Sequence, residues 1–202
     1  MILNFIAGLA VASSLGHPAE APVIPVDFSG PFTNIIAVEP RAVLRMLSAL
    51  PLGDTAQPIF DRDFERATYF SAFALSKDGG YGYAVAANSL GAARDMAMVE
   101  CLAQNAKCSV IAEVVPQGYR DPAPGDLYLN PDIAAYYFSP GPEVNGNRAM
   151  AISEDGAWSF NWGFTTQAEA DAEAIKTCLA NRSPVAPGQI DWPCFLVPGA
   201  GQ

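Results

Sequence analysis

One stretch of this chain is written twice. Ala72 to Ala103 aligns without a gap on Ala149 to Ala180, and ten of the thirty-two aligned pairs are identical: Ala72/Ala149, Ala74/Ala151, Ser76/Ser153, Asp78/Asp155, Gly79/Gly156, Ala93/Ala170, Ala97/Ala174, Cys101/Cys178, Leu102/Leu179 and Ala103/Ala180. Other pairs match in kind, among them Tyr81/Trp158 and Tyr83/Phe160. A further cysteine follows each copy, Cys108 and Cys194. Such a duplication constrains the fold, because whatever supersecondary unit the first copy builds, the second must be able to build as well.

Each copy reads as strand, turn, strand, helix, strand. Asp78-Gly79 and Asp155-Gly156 sit between apolar runs, which is a hairpin signal. With a two-residue turn, Ala74 faces Tyr83 and Ala151 faces Phe160. Ser89 suits a helix N-cap, and Thr166-Gln167-Ala168-Glu169 is a capping box. Asn181 suits the left-handed position that closes the second helix. Ala93, Ala97, Cys101 and Ala170, Ala174, Cys178 place small residues on one helical face, suited to close packing on a sheet. The expected fold is therefore α+β: two pseudo-symmetric ββαβ units, an antiparallel sheet with helices on one face, and one disulfide per unit.

Four cysteines allow three pairings. The duplication selects Cys101–Cys108 and Cys178–Cys194, since each unit should close itself. A four-cysteine zinc site is the rival, but the spacings are x6 and x15 rather than the short ones that zinc favours. Neither pair is Cys-x-x-Cys, so structural staples are expected rather than a redox centre. Disulfides place the chain in an oxidising compartment. Met1 to Ala21 fits an export signal: an apolar stretch from Ile2 to Leu15, the break at His17-Pro18, then Ala19-Glu20-Ala21 as a cleavage pattern. The alternative is a buried first helix or a short anchor, and the apolar stretch is short for a bilayer span. The expected location is periplasmic or secreted, with no transmembrane span after cleavage.

The rest divides by composition. Residues 22–68 form a proline-rich arm with one expected helix, Pro40 to Leu50, and a possible edge strand in Phe28 to Val38. The first repeat covers 69–115, a linker 116–147, and the second repeat 148–202. Within the linker, Ala134 to Phe138 reads as a strand, with Tyr136, Tyr137 and Phe138 either packed beneath it or forming a docking patch. Asn181-Arg182-Ser183 fits an N-glycosylation acceptor in a eukaryotic host.

The chemistry is mostly negative. The chain has 11 Lys and Arg against 21 Asp and Glu, a net charge of −10, so nucleic acid is not an expected partner. His17 is the one histidine and is lost with the signal, which removes Ser-His-Asp and Cys-His catalysis and histidine-based metal sites. Gly79-Gly80-Tyr81-Gly82 is a hairpin turn and not a phosphate loop. No metal site and no cofactor is expected. Asp61, Asp63 and Glu65 share one side if extended, but such a run usually pairs with its own Arg62 and Arg66 in solvent. Trp158, Phe160, Trp162 and Phe164 alternate and so share one strand face. Tyr81 and Tyr83 match the first two. Core burial is the common fate of such rings. The sharper reading is a face, Trp158, Phe160, Trp162, Tyr81 and Tyr83, that stacks on sugar rings or on a partner protein.

This pattern resembles a small secreted bacterial domain of unknown function, family 4189. The likeness rests on Phe70-Ser71-Ala72-Phe73-Ala74, Gly79, Tyr81, Ala93, Ala97, Cys101 and Cys108-Ser109-Val110, and again on Ala149-Met150-Ala151, Gly156, Trp158, Ala170, Ala174, Cys178 and Cys194-Phe195-Leu196. Met150, Arg148 and the long insertion before Cys194 depart from it. The resemblance implies two tandem copies and no catalytic residue. The balance is against catalysis. The expected function is a non-catalytic exported binding or interaction module for another protein or an envelope component, such as an accessory subunit of an envelope complex. The alternative is a carboxylate-dependent hydrolase or binder of cell-envelope glycans, using Asp61, Asp63 or Glu143 near Trp158 or Trp162.

Overall fold

A computed structural model describes residues 32–138, 146–182 and 190–200. The chain runs β1 (Asn34–Ala37), β2 (Ala42–Met46), α1 (Gly53–Ile59), a π-helical turn (Phe60–Phe64), β3 (Phe70–Leu75), β4 (Tyr81–Ala87), α2 (Leu90–Leu102) and β5 (Ser109–Pro116). It continues β6 (Asp126–Leu129), α3 (Pro131–Phe138), β7 (Asn147–Ser153), β8 (Trp158–Phe164), α4 (Gln167–Asn181) and β9 (Cys194–Leu196). The fold is α+β. A first antiparallel sheet has the order β2-β5-β3-β4, a second β8-β7-β9, and β1 pairs with β6 in parallel. Both expected disulfides are present, Cys101–Cys108 and Cys178–Cys194.

The hairpins form, with a three-residue loop in place of the two-residue turn. Ser76 N–H donates to Gly80 O and Gly79 N–H to Ser76 O; Ser153 N–H donates to Ala157 O and Gly156 N–H to Ser153 O. Gly79 and Gly156 take φ of +84° and +107°, which closes a type I turn with a bulge. The extra residue shifts the pairing by one, so Phe73 faces Tyr83 and Met150 faces Phe160. A second bulge recurs at aligned positions of the return strands, Ala86 (φ +59°) and Gly163 (φ +88°). It turns Phe164 away from the other three β8 rings, toward the α4 side, so the four do not share a face.

Ser89 caps α2 by accepting from Ala92 N–H, and Thr166 and Glu169 form the capping box of α4. The small helical faces are fully buried on their sheets. Helices do not keep to one face, however. β3 is buried along its whole length, so its sheet needs cover on both sides. α1 and the π-turn supply it, setting Phe60 and Phe64 edge-to-face on Phe73 with ring centroids 5.3 Å apart. On the second sheet, α3, β6 and Phe32 cover Met150 and Ile152 opposite α4.

Three local expectations fail. Pro40 to Leu50 contains β2 rather than a helix, because Ala42–Met46 completes the edge of β5. Ala134 to Phe138 is the end of α3 rather than a strand; Asn130 Oδ1 accepts from Ile133 N–H, and Pro131 opens the helix. The 116–147 segment is thus not a bare linker. Asp61 and Asp63 lie in the π-helical turn and Glu65 caps its end, so these carboxylates do not line up as on a strand. The export signal, Glu143 and Ser183 lie outside the described residues.

The two sheets meet through the second hairpin. Asn88, buried, donates from both its backbone and its side-chain amide: Asn88 N–H to Glu154 O at 2.8 Å, Nδ2 to Ser153 O at 2.7 Å and to Ala157 O at 3.3 Å. Ser89 Oγ donates to Glu154 Oε2 at 2.9 Å.

Candidate functional site

β8 is an edge strand. The direction of its main chain follows from the ladder. Val197 N–H donates to Met150 O, so Met150 faces β9 and its neighbours Ala149 and Ala151 face β8, where they pair with Asn161 and Ser159. Trp158 and Phe160 therefore aim their main-chain groups out of the sheet. Asn181 Nδ2 takes up the first of these by donating to Trp158 O at 2.8 Å. This is the role Asn181 plays in place of the left-handed cap expected of it; the residue after it, Arg182, has φ −72°.

A groove of about 310 Å³ runs along this edge and reaches both faces of the strand. Trp158, Phe160 and Trp162 line one side, joined by Tyr136 of α3, whose ring centroid lies 5.3 Å from Trp158 and 6.2 Å from Phe160. Ser159, Asn161, Thr177 and Asn181 line the other. Trp162 is 44% exposed and Tyr136 49%, so neither ring is buried in the core. Ser159 is satisfied, donating to Ala174 O at 2.6 Å. Asn161 is not: Nδ2 reaches Thr177 Oγ1 at 3.4 Å, while Oδ1 is buried with no partner among the described residues. A buried amide oxygen left open is costly unless something outside the chain fills it.

The structure brings Trp158, Phe160 and Trp162 together but separates them from Tyr81 and Tyr83. Those two stack on Phe73 at 5.7 and 6.1 Å and belong to the core under the π-turn. Burial, then the nearby Asp63 carboxylate, pushes the Tyr83 hydroxyl pKa up. The edge of β4 is also closed: Tyr83 N–H donates to Glu100 Oε2 at 2.7 Å. Glu100 aligns with Thr177 and Tyr83 with Phe160, so the second copy lacks the cap that the first copy has.

The carboxylates are elsewhere. Asp61 accepts from Gln57 Nε2 at 2.7 Å, and Asp63 accepts from Arg62 at 2.6 and 2.7 Å. The bond from Arg62 holds Asp63 below the usual carboxylate range, which suits a fixed charge and not a proton donor. Neither lines the groove. The sequence reading missed Glu113, a buried carboxylate on β5 held by Arg94 Nε at 2.5 Å. It also missed Asn161, Thr177 and Asn181; the aligned residues Ala84, Glu100 and Gln104 differ, and that divergence beside matching helix faces was the signal available. Among the described residues no group of three His, Cys, Asp or Glu is placed to hold a metal, and no helix is long and apolar enough to cross a membrane. Compared with protein-family models, with curated proteins and with solved structures, the chain matches none.

Proposed function

We propose that this chain is a non-catalytic exported module, periplasmic or secreted, that binds another protein or an envelope component through the β8 groove. On this reading the two ββαβ stretches are pseudo-symmetric copies of one unit, as the likeness to family 4189 implies, and they have diverged in use. The first copy closes its sheet edge with Glu100; the second leaves its edge open beneath an aromatic wall. The observation that carries the reading is this uncharged groove with an unfilled acceptor, Asn161 Oδ1. Two disulfides support the oxidising compartment.

Such a groove has the means to bind and orient, and its lining among the described residues includes no carboxylate, amine or thiol with which to cleave. Trp162 favours a second reading, a glycan binder, because an exposed indole face suits a sugar ring. The hydrolytic form of that reading has no acid among the described residues of the groove to support it. The test is a cross-linking pull-down from the native envelope fraction with the wild-type protein and with Trp162→Ala. A partner or glycan retained by the wild type and lost by the variant is the expected result. Equal retention by both moves the binding surface away from β8.

A further inference from the structure

We infer that the open edge of β8 accepts an extended peptide segment as an added antiparallel strand, the partner pairing its backbone with Phe160 and laying its side chains alternately on the two walls of the groove. This rests on the groove being the binding site. Three observations select a peptide over other occupants. First, the groove follows the strand edge rather than one face of the sheet, so a ligand in it meets the outward main chain of Phe160. A strand is the ligand that fills a donor and an acceptor on one residue at ladder spacing. Second, the aligned edge in the same chain is capped by Glu100 on Tyr83 N–H, whereas Thr177 makes no such bond to Phe160 among the described residues. Third, the chain already extends a sheet in this way: β2 adds antiparallel to the outer side of β5 with five paired residues from Ala42↔Pro116 to Met46↔Ala112.

The usual protection of a sheet edge is charge or proline. Ala157 to Gln167 contains neither. The wall of Trp158, Phe160 and Trp162 takes apolar side chains of the incoming strand, and the Asn161 amide takes a hydroxyl or amide from the residues between them. With a net charge of −10 on the chain, a neutral or basic segment is admitted and an acidic one is repelled.

The probe is an arrayed library of short, terminally blocked peptides of random sequence, applied to the full chain with its disulfides intact. The best binder is remade with its backbone N-methylated at alternate residues. The expected results are binding by neutral or basic sequences, slowed amide exchange at Phe160, and roughly tenfold or greater loss of affinity on N-methylation in one register only. Thr177→Glu, which copies the cap of the first sheet, should weaken binding to a similar degree while leaving the circular dichroism unchanged. Because N-methylation alters only the ligand, it decides the matter even if the variant misfolds. Binding insensitive to N-methylation, or no binding by any peptide, overturns the inference. So does retention of chitotetraose alone, or a concentration-dependent dimer abolished by Thr177→Glu. In either of those last two cases the groove still binds, and only the peptide occupant is lost; retention by Trp162→Ala of everything the wild type binds removes the groove itself.

Discussion

Gly82 shows how much can hang on one hydrogen. A Cβ there would lie 2.3 Å from Cys101 N and 2.5 Å from Ala97 O, so α2 rests directly on the β4 backbone. The aligned residue is Ser159, whose hydroxyl bonds Ala174 O, the carbonyl aligned with Ala97 O. The same helix-on-strand contact is met by contact in one copy and by a hydrogen bond in the other. Gly82→Ala is expected to cost about 3 kcal/mol through overpacking against rigid backbone. Ser159→Ala should cost about 1 kcal/mol, the net worth of one hydrogen bond. Urea denaturation of both variants checks the order. This pair was not legible in the sequence, where Gly82 and Ser159 simply fail to match; the helix that makes sense of both is far away along the chain.

At the next level, the elements differ in how openly the sequence announced them. Hairpins, α2, α4 and the two disulfides rest on local signals: Asp-Gly turns, Ser89, the Thr166–Glu169 box and cysteines at matching places. β2 carries no such signal. Its apolar spacing suits a helix, and the unpaired edge of β5 decides otherwise. α3 was legible in Asn130-Pro131-Asp132, a cap and a first-turn proline overlooked beside its aromatic run. The disulfides close loops of unequal size, with sequence separations of 7 and 16. By loop entropy they are worth about 2 and about 3 kcal/mol, so removing Cys178 and Cys194 together should lower stability more than removing Cys101 and Cys108. Thermal melts of the two double alanine variants test this.

The β1–β6 pair should respond to acid. The Asn34 amide, then the Ala123 N–H, hold the Asp126 carboxyl below its ordinary range by bonding the ionised form at 2.7 and 3.0 Å. A lowered folded value means the contribution is present above the unfolded value of about 4 and fades as pH falls through the folded one. Protection of the Asn34–Ala37 amides, measured as exchange relative to the intrinsic rate at each pH, should therefore fall at acid pH. In Asp126→Asn that dependence should vanish.

For the molecule as a whole, both sheets are covered on two sides and bonded to each other, yet at the β8 edge no described residue caps the outward main chain of Phe160. Asn88 and Ser89 hold the second hairpin against the first sheet, and the Tyr69 hydroxyl donates to Tyr128 O from the β3 side toward β6. Burial raises the Tyr69 pKa far above the ordinary tyrosine value, so its hydroxyl stays a donor throughout the neutral range. The aromatic face was visible in the sequence as an alternation, but its extent was not. The bulge at Gly163 removes Phe164 from it, the π-turn takes Tyr81 and Tyr83 into a core, and α3 adds Tyr136.

The proposed function places binding at this edge of the second sheet and not at its counterpart in the first. Trp162 and Val85 occupy aligned positions with 44% and 45% exposure, so exposure alone does not distinguish them. The decisive measurement places a photo-reactive phenylalanine analogue at each position in turn and irradiates the native envelope fraction. A discrete adduct is expected from position 162 and none from position 85. Adducts from 85 alone, or equally from both, would contradict it.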